Sequence, residues 1–200
     1  MAKVVLATGN QGKVNEMQQV LQNFGLQVIP QSDFNIPDAT EDGLSFVENA
    51  IKKARHACKL TKLPAIADDS GLEVAALNGQ PGIHSARYAS GEDGTGDAAN
   101  NKKLLHAMTN VTERHAQFQC VIVYMQNELD PTPIICQGTW QGFITEQEKG
   151  EYGFGYDPLF YVPELDCHSA ELDPKIKKTI SHRAQALIKL QEQLALRDKN

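Results

Sequence analysis

The feature that most restricts this chain is a short apolar run, Val4-Val5-Leu6-Ala7, that leads almost at once into helical spacing at Val14, Met17, Val20, Leu21 and Phe24. Gly25 follows where a helix commonly ends, and Leu26 to Ile29 is a second strand. From Leu44 to Leu60 the apolar residues Phe46, Val47, Ala50, Ile51, Ala54 and Cys58 recur on one helical face. Pro64-Ala65-Ile66-Ala67 is then a third strand. Strands and helices that alternate in this way fold as α/β with parallel pairing.

The pattern changes in the middle. Ser90 to Gly96 is a Gly- and Asp-rich loop, and Asp97 to Met108 is helical. Phe118 to Met125 and Ile134 to Ile144 are long β-type runs. Pro131-Thr132-Pro133 separates them, which predicts an antiparallel hairpin. A last helix follows Ser181, with Leu187, Ile188, Gln191 and Leu194 marking one side. The expectation is a single domain over 1–200 with a mixed sheet, whose βαβ part and hairpin part form two lobes. A cleft between lobes is where a ligand sits.

The charge balance narrows the function classes. Lys plus Arg number 19 against 25 Asp plus Glu, a net charge of -6. Duplex nucleic acids are held by clustered cations, so the chain reads as no nucleic-acid binder. No apolar run reaches the roughly 20 residues that span a bilayer. The run after Met1-Ala2-Lys3 is too short for a signal-peptide core. The expected setting is cytoplasmic, away from membranes. Cys58, Cys120, Cys136 and Cys167 lack C-x-x-C spacing and read as reduced, small core residues.

Five segments could carry chemistry. Thr8-Gly9-Asn10-Gln11-Gly12-Lys13 lies between a strand and a helix. Gly9 lets a ligand approach the backbone, the helix start presents N–H groups, and Lys13 adds a charge one turn inside. Two readings stand: a phosphate grip, or a plain N-cap by Asn10 with Lys13 solvated. Asp68-Asp69-Ser70-Gly71 sits at a strand's C-terminal end, where ligands of α/β sheets gather. Adjacent strand residues face opposite ways, so one Asp serves the ligand and the other supports it from behind. The alternative is an Asx turn. Asp38 to Asp42 precede a helix that carries Lys52 and Lys53; acids are favourable there, and Glu41 is the choice for a second metal ligand.

Gly153-Phe154-Gly155-Tyr156-Asp157-Pro158 reads as a flexible loop whose aromatic faces suit a purine, or as a turn that tucks its rings into the core. Ser181-His182-Arg183, with Lys177 ahead of it, opens the last helix. Exposed cations are unfavourable there unless an anion or an electron-rich base edge offsets them. One decoy, Gly94-Thr95-Gly96-Asp97-Ala98-Ala99, matches G-x-G-x-x-A without the preceding strand of a dinucleotide site.

Taken in order, ATGNQGK at 7–13, ENAIKKA at 48–54, AIADDSGL at 65–72, PGIHSARY at 81–88, FGYDP at 154–158 and SHR at 181–183 resemble the inosine/xanthosine triphosphate pyrophosphatase family along nearly the whole chain. The resemblance implies an elongated mixed sheet in two α/β lobes with a central nucleotide-binding cleft. It also implies a homodimer and Mg²⁺-dependent hydrolysis of ITP, dITP and XTP to monophosphate and pyrophosphate, which cleanses the nucleotide pool. Thr8, Gly9, Asn10, Gln11, Gly12 and Lys13 then hold the triphosphate, and Asp69 is both metal ligand and proton acceptor. Ser70, Phe154, Gly155, Tyr156, Asp157, Lys177, His182 and Arg183 hold the nucleotide, together with Lys53. Asp68 is supporting.

Two departures from the family pattern stand out. His84 replaces the usual Tyr, and the acidic segment reads PDATEDG, which leaves Glu41 or Asp38 as the second metal-side carboxylate. In the implied mechanism, water near Asp69 attacks the α-phosphorus. Lys13 and the helix start stabilise the leaving pyrophosphate. Hypoxanthine and adenine differ at position 6, carbonyl against amine, so a site of donors rejects the amine. Two other readings stay open: a nucleotide-binding regulator without turnover, and a nucleic-acid-binding protein that reads bases with its aromatic loop, which the acidic balance disfavours.

Overall fold

The computed structural model describes residues 2–22, 25–91 and 94–197. Phe24, and residues 92 and 93 of the 90–96 loop, lie outside them. The strands are β1 (Ala2–Leu6), β2 (Leu26–Pro30), β3 (Ala65–Val74), β4 (His115–Met125), β5 (Ile134–Ile144), β6 (Phe160–Val162) and β7 (Cys167–His168). The helices are α1 (Gln11–Gln22), α2 (Phe46–Thr61), α3 (Asp97–Ala107), α4 (Pro174–Ile180) and α5 (His182–Arg197). One mixed sheet runs in the order β2-β1-β3-β4-β5-β6-β7. β1 pairs in parallel with β2 and β3, whereas β5, β6 and β7 are antiparallel. The side chain of Thr139 bonds Gln119, and that of Gln141 bonds Gln117. Position rises on β5 as it falls on β4, which is the expected antiparallel hairpin. The short strands β6 and β7 and helix α4 carry too few residues for periodicity to reveal them.

The chain divides into two compact units, Met1–Asp69 with Cys120–Gly138 and Arg183–Asn200, and Ser70–Gln119 with Thr139–His182. The first unit follows strand parity. Val4, Leu6, Ile66, Cys120 and Ile122 face one way and pack with Val14, Met17 and Leu21 of α1 and Ala186, Leu187 and Leu190 of α5. Val5, Ala7, Ala65, Ala67, Val121 and Val123 face the other way, against Ala50, Ala54, Ala57 and Cys58 of α2. Both faces are covered, as parallel sheets require. α2 starts where Ser45 and Glu48 exchange bonds: the Ser45 hydroxyl accepts from the Glu48 N–H, and the Glu48 carboxylate accepts from the Leu44 N–H and the Ser45 hydroxyl. This S-x-x-E start fixes the register of the helix.

In the apolar core of the second unit, Leu72, Val74, Phe118, Trp140, Tyr156, Leu159 and Phe160 pack with Leu104 of α3 and with Met108 just past its end. The alternate positions of its strands are polar. Gln117 bonds Glu73 and accepts from Gln141, and Gln119 accepts from Thr139. All four cysteines are free. Burial pushes the thiol of Cys58 up to about 11 and that of Cys120 up to about 12, which leaves them inert filler.

Two expectations are corrected. Asp68 and Asp69 do not end a strand in an Asx turn; β3 continues to Val74. The pair nonetheless lies beyond the end of β1, whose last registered partner on β3 is Ile66. The buried stripe of α5 is Ala186, Leu187 and Leu190, with Leu194 packed beside it, while Ile188 is 48% exposed. One position past Leu187 turns a side chain about 100° around the helix, out of the core. Leu187→Ala is therefore expected to lower unfolding free energy by about 2–5 kcal/mol, and Ile188→Ala by less than about 1 kcal/mol, in urea titrations.

Candidate functional site

The site residues of the first unit gather where β1 ends. The order β2-β1-β3 places the two chain crossovers on opposite sides of β1. The carboxyl end of β1, beside the middle of β3, thus lies at a topological switch point, the usual ligand position of such sheets. The Ala7 N–H donates to the Ile66 carbonyl at 2.8 Å, and the chain then leaves the sheet. The Thr8 hydroxyl accepts from the Asn10 N–H at 3.2 Å, and the Asn10 side chain accepts from the Lys13 N–H at 3.1 Å. Asn10 is thus the N-cap of α1. Gly9, Asn10 and Gln11 are exposed, and Thr8, Gly12 and Lys13 are half-buried. The Gln11 amide donates to Asn15.

Strand parity sends the two aspartates in opposite directions. Asp68 shares the face of Ile66, toward α1 and α5. It is fully buried, 3.1 Å from the Lys13 ammonium and 3.4 Å from the Arg183 guanidinium. Arg183 pairs as well with Glu16 of α1. Burial alone would raise the Asp68 pKa, but Lys13, Arg183 and Lys53 outweigh it and hold the carboxyl well below its usual range. Burial likewise opposes the charge of Arg183, and Asp68 and Glu16 reverse the effect and raise its pKa.

Asp69 takes the face of Ala67, toward α2. Its oxygens accept from the Lys53 ammonium at 2.8 Å and from the Asn49 amide at 3.3 Å. Burial raises its pKa against the pull of Lys53 and Lys13, with Glu41 adding to the rise. The same Lys53 ammonium reaches Glu41 at 3.1 Å. Burial opposes its charge too, but Asp69, Asp68 and Glu41 prevail and raise its pKa.

Asn49 was not anticipated. It is fully buried and accepts from the Gly43 N–H at 2.9 Å, tying the acidic segment to Asp69. The signal was present: Asn49 and Lys53 interrupt the small, apolar stripe of Phe46, Ala50, Ala54 and Ala57, one turn apart. Asp38 stands elsewhere, accepting from Gln31 at 2.7 Å and lying against Gly9. Between the two candidate acids, Glu41 is the one linked to Asp69 through Lys53. Among the described residues no three His, Cys, Asp or Glu side chains form a metal cage. Two carboxylates fit Mg²⁺ all the same, because that ion binds oxygen through one or two carboxylates plus phosphates and water.

In the second unit, Ser70 is half-buried as the next residue of β3. Asp157 is buried and accepts from the Lys177 ammonium at 2.5 Å, from the Ser169 hydroxyl at 2.8 Å and from the Phe154 N–H at 2.8 Å. Lys177 lies 5.3 Å from the centre of the half-buried Phe154 ring. Tyr156 is buried, and its hydroxyl donates to the Ser85 carbonyl at 2.8 Å. The two aromatics therefore divide the two readings of the loop: Tyr156 is tucked into the core, and Phe154 keeps part of its face accessible. The loop is pinned by these bonds rather than loose. A Cβ on Gly153 would meet the Asp157 carboxylate at 2.1 Å, and its φ is +83°.

The expected exposure of His182 and Arg183 is corrected, since both are buried. His182 stacks on Phe118 at 4.8 Å. Arg183 escapes the unfavourable helix start by meeting acids from α1 and β3, far away in sequence. His84 is exposed. The G-x-G-x-x-A segment leads into α3 without a strand before it, as expected of a decoy.

The model of the Ham1 family matches residues 4–193. A dITP/XTP pyrophosphatase of Vibrio cholerae is 58% identical over 192 residues, 95% of each chain. One of Photorhabdus laumondii is 55% identical, covering 94% of this chain and 95% of that one. The structure of a HAM1 protein from Coxiella burnetii superposes with a TM-score of 0.90 at 51% identity, covering 98% of this chain and 99% of that one. A nucleoside-triphosphatase / dITP/XTP pyrophosphatase from Mycobacterium abscessus gives 0.75 at 35% identity, covering 94% and 97%.

Asp68→Asn strips the charge that Lys13 and Arg183 face in a buried place, and unfolding free energy is expected to fall by about 3–5 kcal/mol at neutral pH. Asp68 binds its proton less tightly folded than unfolded. Its stabilisation is complete above the unfolded value of 3.8 and is lost as pH falls through the depressed folded value. Urea midpoints taken across the acid range should therefore fall more steeply for the native sequence than for Asp68→Asn.

Proposed function

This chain belongs to the Ham1 family, and from that premise we propose that it hydrolyses noncanonical purine nucleoside triphosphates, ITP, dITP and XTP, to the monophosphate and pyrophosphate. The observation that carries the reading is the pair Asp68 and Asp69, set back to back beyond the end of β1. One secures Lys13 beside the helix start, and the other is a buried carboxylate of raised basicity. The names of the relatives, dITP/XTP pyrophosphatase, support the same chemistry.

Each residue has a role in this scheme. Asp69 accepts the proton of the attacking water. Asn49 and Lys53 hold it in one orientation. Lys13, with the N–H groups at the start of α1, neutralises charge on the departing pyrophosphate, the preorganised electrostatic contribution that dominates such reactions. Asp69 and Glu41 are the carboxylates that would hold Mg²⁺, which would supply Lewis-acid stabilisation of the phosphate oxygens. Phe154 offers a ring face to a purine, and the ammonium of Lys177 beside it suits an electron-rich base edge. Arg183, expected at the base, reads as the residue that holds Asp68 and with it Lys13. By the same resemblance the working form is a homodimer in the cytoplasm. No helix among the described residues is long and apolar enough to cross a membrane.

Turnover of a panel of nucleoside triphosphates with product identification tests the proposal. Asp69→Asn is expected to lower kcat at least about 10²-fold while the protein stays folded. In ¹⁸O-labelled water the label should enter the nucleoside monophosphate and not the pyrophosphate. Orthophosphate and a nucleoside diphosphate as first products would overturn the scheme. Tight ITP binding without pyrophosphate release would instead mark a nucleotide-binding regulator.

A further inference from the structure

Helix α3 contains three polar residues whose bonds leave the helix. The Asn100 amide bridges the Ala89 N–H and the Ala86 carbonyl. The Asp97 carboxylate accepts from the Gly155 N–H at 2.6 Å, and the Asn101 amide donates to the Gly155 carbonyl at 3.2 Å. Asp97 and Asn101 are one turn apart and so share a face. Together they hold the peptide units on both sides of Gly155, whose φ is +63°. This arrangement has a cost. The Asn101 side-chain oxygen is buried and finds no partner among the described residues. Buried polar atoms are nearly always satisfied, so an orphan marks a place where another demand prevails. Rotating the amide would bring its oxygen against the Gly155 carbonyl. The N-cap of α3 is Gly96, which has no side chain to cap the helix, and the Asp97 carboxylate reaches the loop.

We infer that Asp97 and Asn101 are positioning residues that set base selectivity by fixing Gly155 between Phe154 and Tyr156. The inference rests on the reading of residues 154–157 as nucleotide contacts. Tyr156 is anchored to Ser85, and the Phe154 N–H to Asp157. Gly155 is the joint between these anchors, and glycine is the residue most free to turn. With both flanking peptide units held, the Phe154 ring keeps one position.

The test compares the native enzyme with Asp97→Ala, Asp97→Asn and Asn101→Ala, using ITP and ATP as substrates and inorganic pyrophosphate as inhibitor. Asp97→Ala should raise KM for ITP about tenfold or more, because the released loop must then be ordered on binding. Its kcat should hold within about twofold, and its preference for ITP over ATP should fall. Asp97→Asn keeps an accepting oxygen and should restore most of the native KM. Inhibition by pyrophosphate should not change, because its contacts lie in the first unit. If Asp97→Ala fails to fold, Asn101→Ala carries the same expectation. An unchanged KM and unchanged base preference overturn the inference alone, and so does a lower kcat at constant KM. A native protein that releases no pyrophosphate from ITP overturns the functional reading and this inference with it.

Discussion

A carboxylate removed from water must be surrounded by positive charge or lose its own, and Asp68 is the point at which this chain meets that demand. Lys13 comes from the start of α1 and Arg183 from the start of α5; Glu16 balances the second cation. Two helices distant in the chain are thereby fixed to one strand residue. The loop between β1 and α1 inherits its position from this group, since Lys13 is one turn inside the helix that Asn10 caps. Asp69, next door, faces α2 because its neighbour has taken the opposite side.

Much of this was legible in the sequence, for local reasons. The alternation of strand and helix up to residue 67, the bounds of β5 and the divergence of Asp68 and Asp69 all follow from periods of 3.6 and 2. The rest depended on long-range partners. The dipole argument at the start of α5 pointed to an external anion for Arg183, but its acids come from α1 and β3. Tyr156 could be either a platform or a core residue until its hydroxyl found the Ser85 carbonyl. Ile188 looked equivalent to Leu187 by composition, and only the angle around α5 separates them. Asn49 was visible as a polar break in an apolar stripe, yet nothing local told it apart from a solvated position.

The strands themselves record the change from one unit to the other. Along β4, His115-Ala116-Gln117-Phe118-Gln119 alternates, and Cys120-Val121-Ile122-Val123 does not. An alternating stretch belongs to a sheet with one apolar face, and an unbroken apolar stretch to a sheet covered on both. The change falls between Gln119 and Cys120, where the division of the chain also falls. β3 changes in the same way just past its aspartates, from Ala65-Ile66-Ala67 to Ser70-Gly71-Leu72-Glu73-Val74. Asp68 and Asp69 thus occupy the last positions at which this strand has helices on both sides.

The grip of α2 on Asp69 bears on how this chain can diverge. Asn49 and Lys53 reach one carboxylate because a single helical turn separates them, and Asn49 also carries the Gly43 backbone. A codon gained or lost between them would swing one past the other by about 100° and strand the carboxylate without its holders. Length variation among descendants of this gene should therefore be purged from α2, even where the inserted residues themselves are harmless.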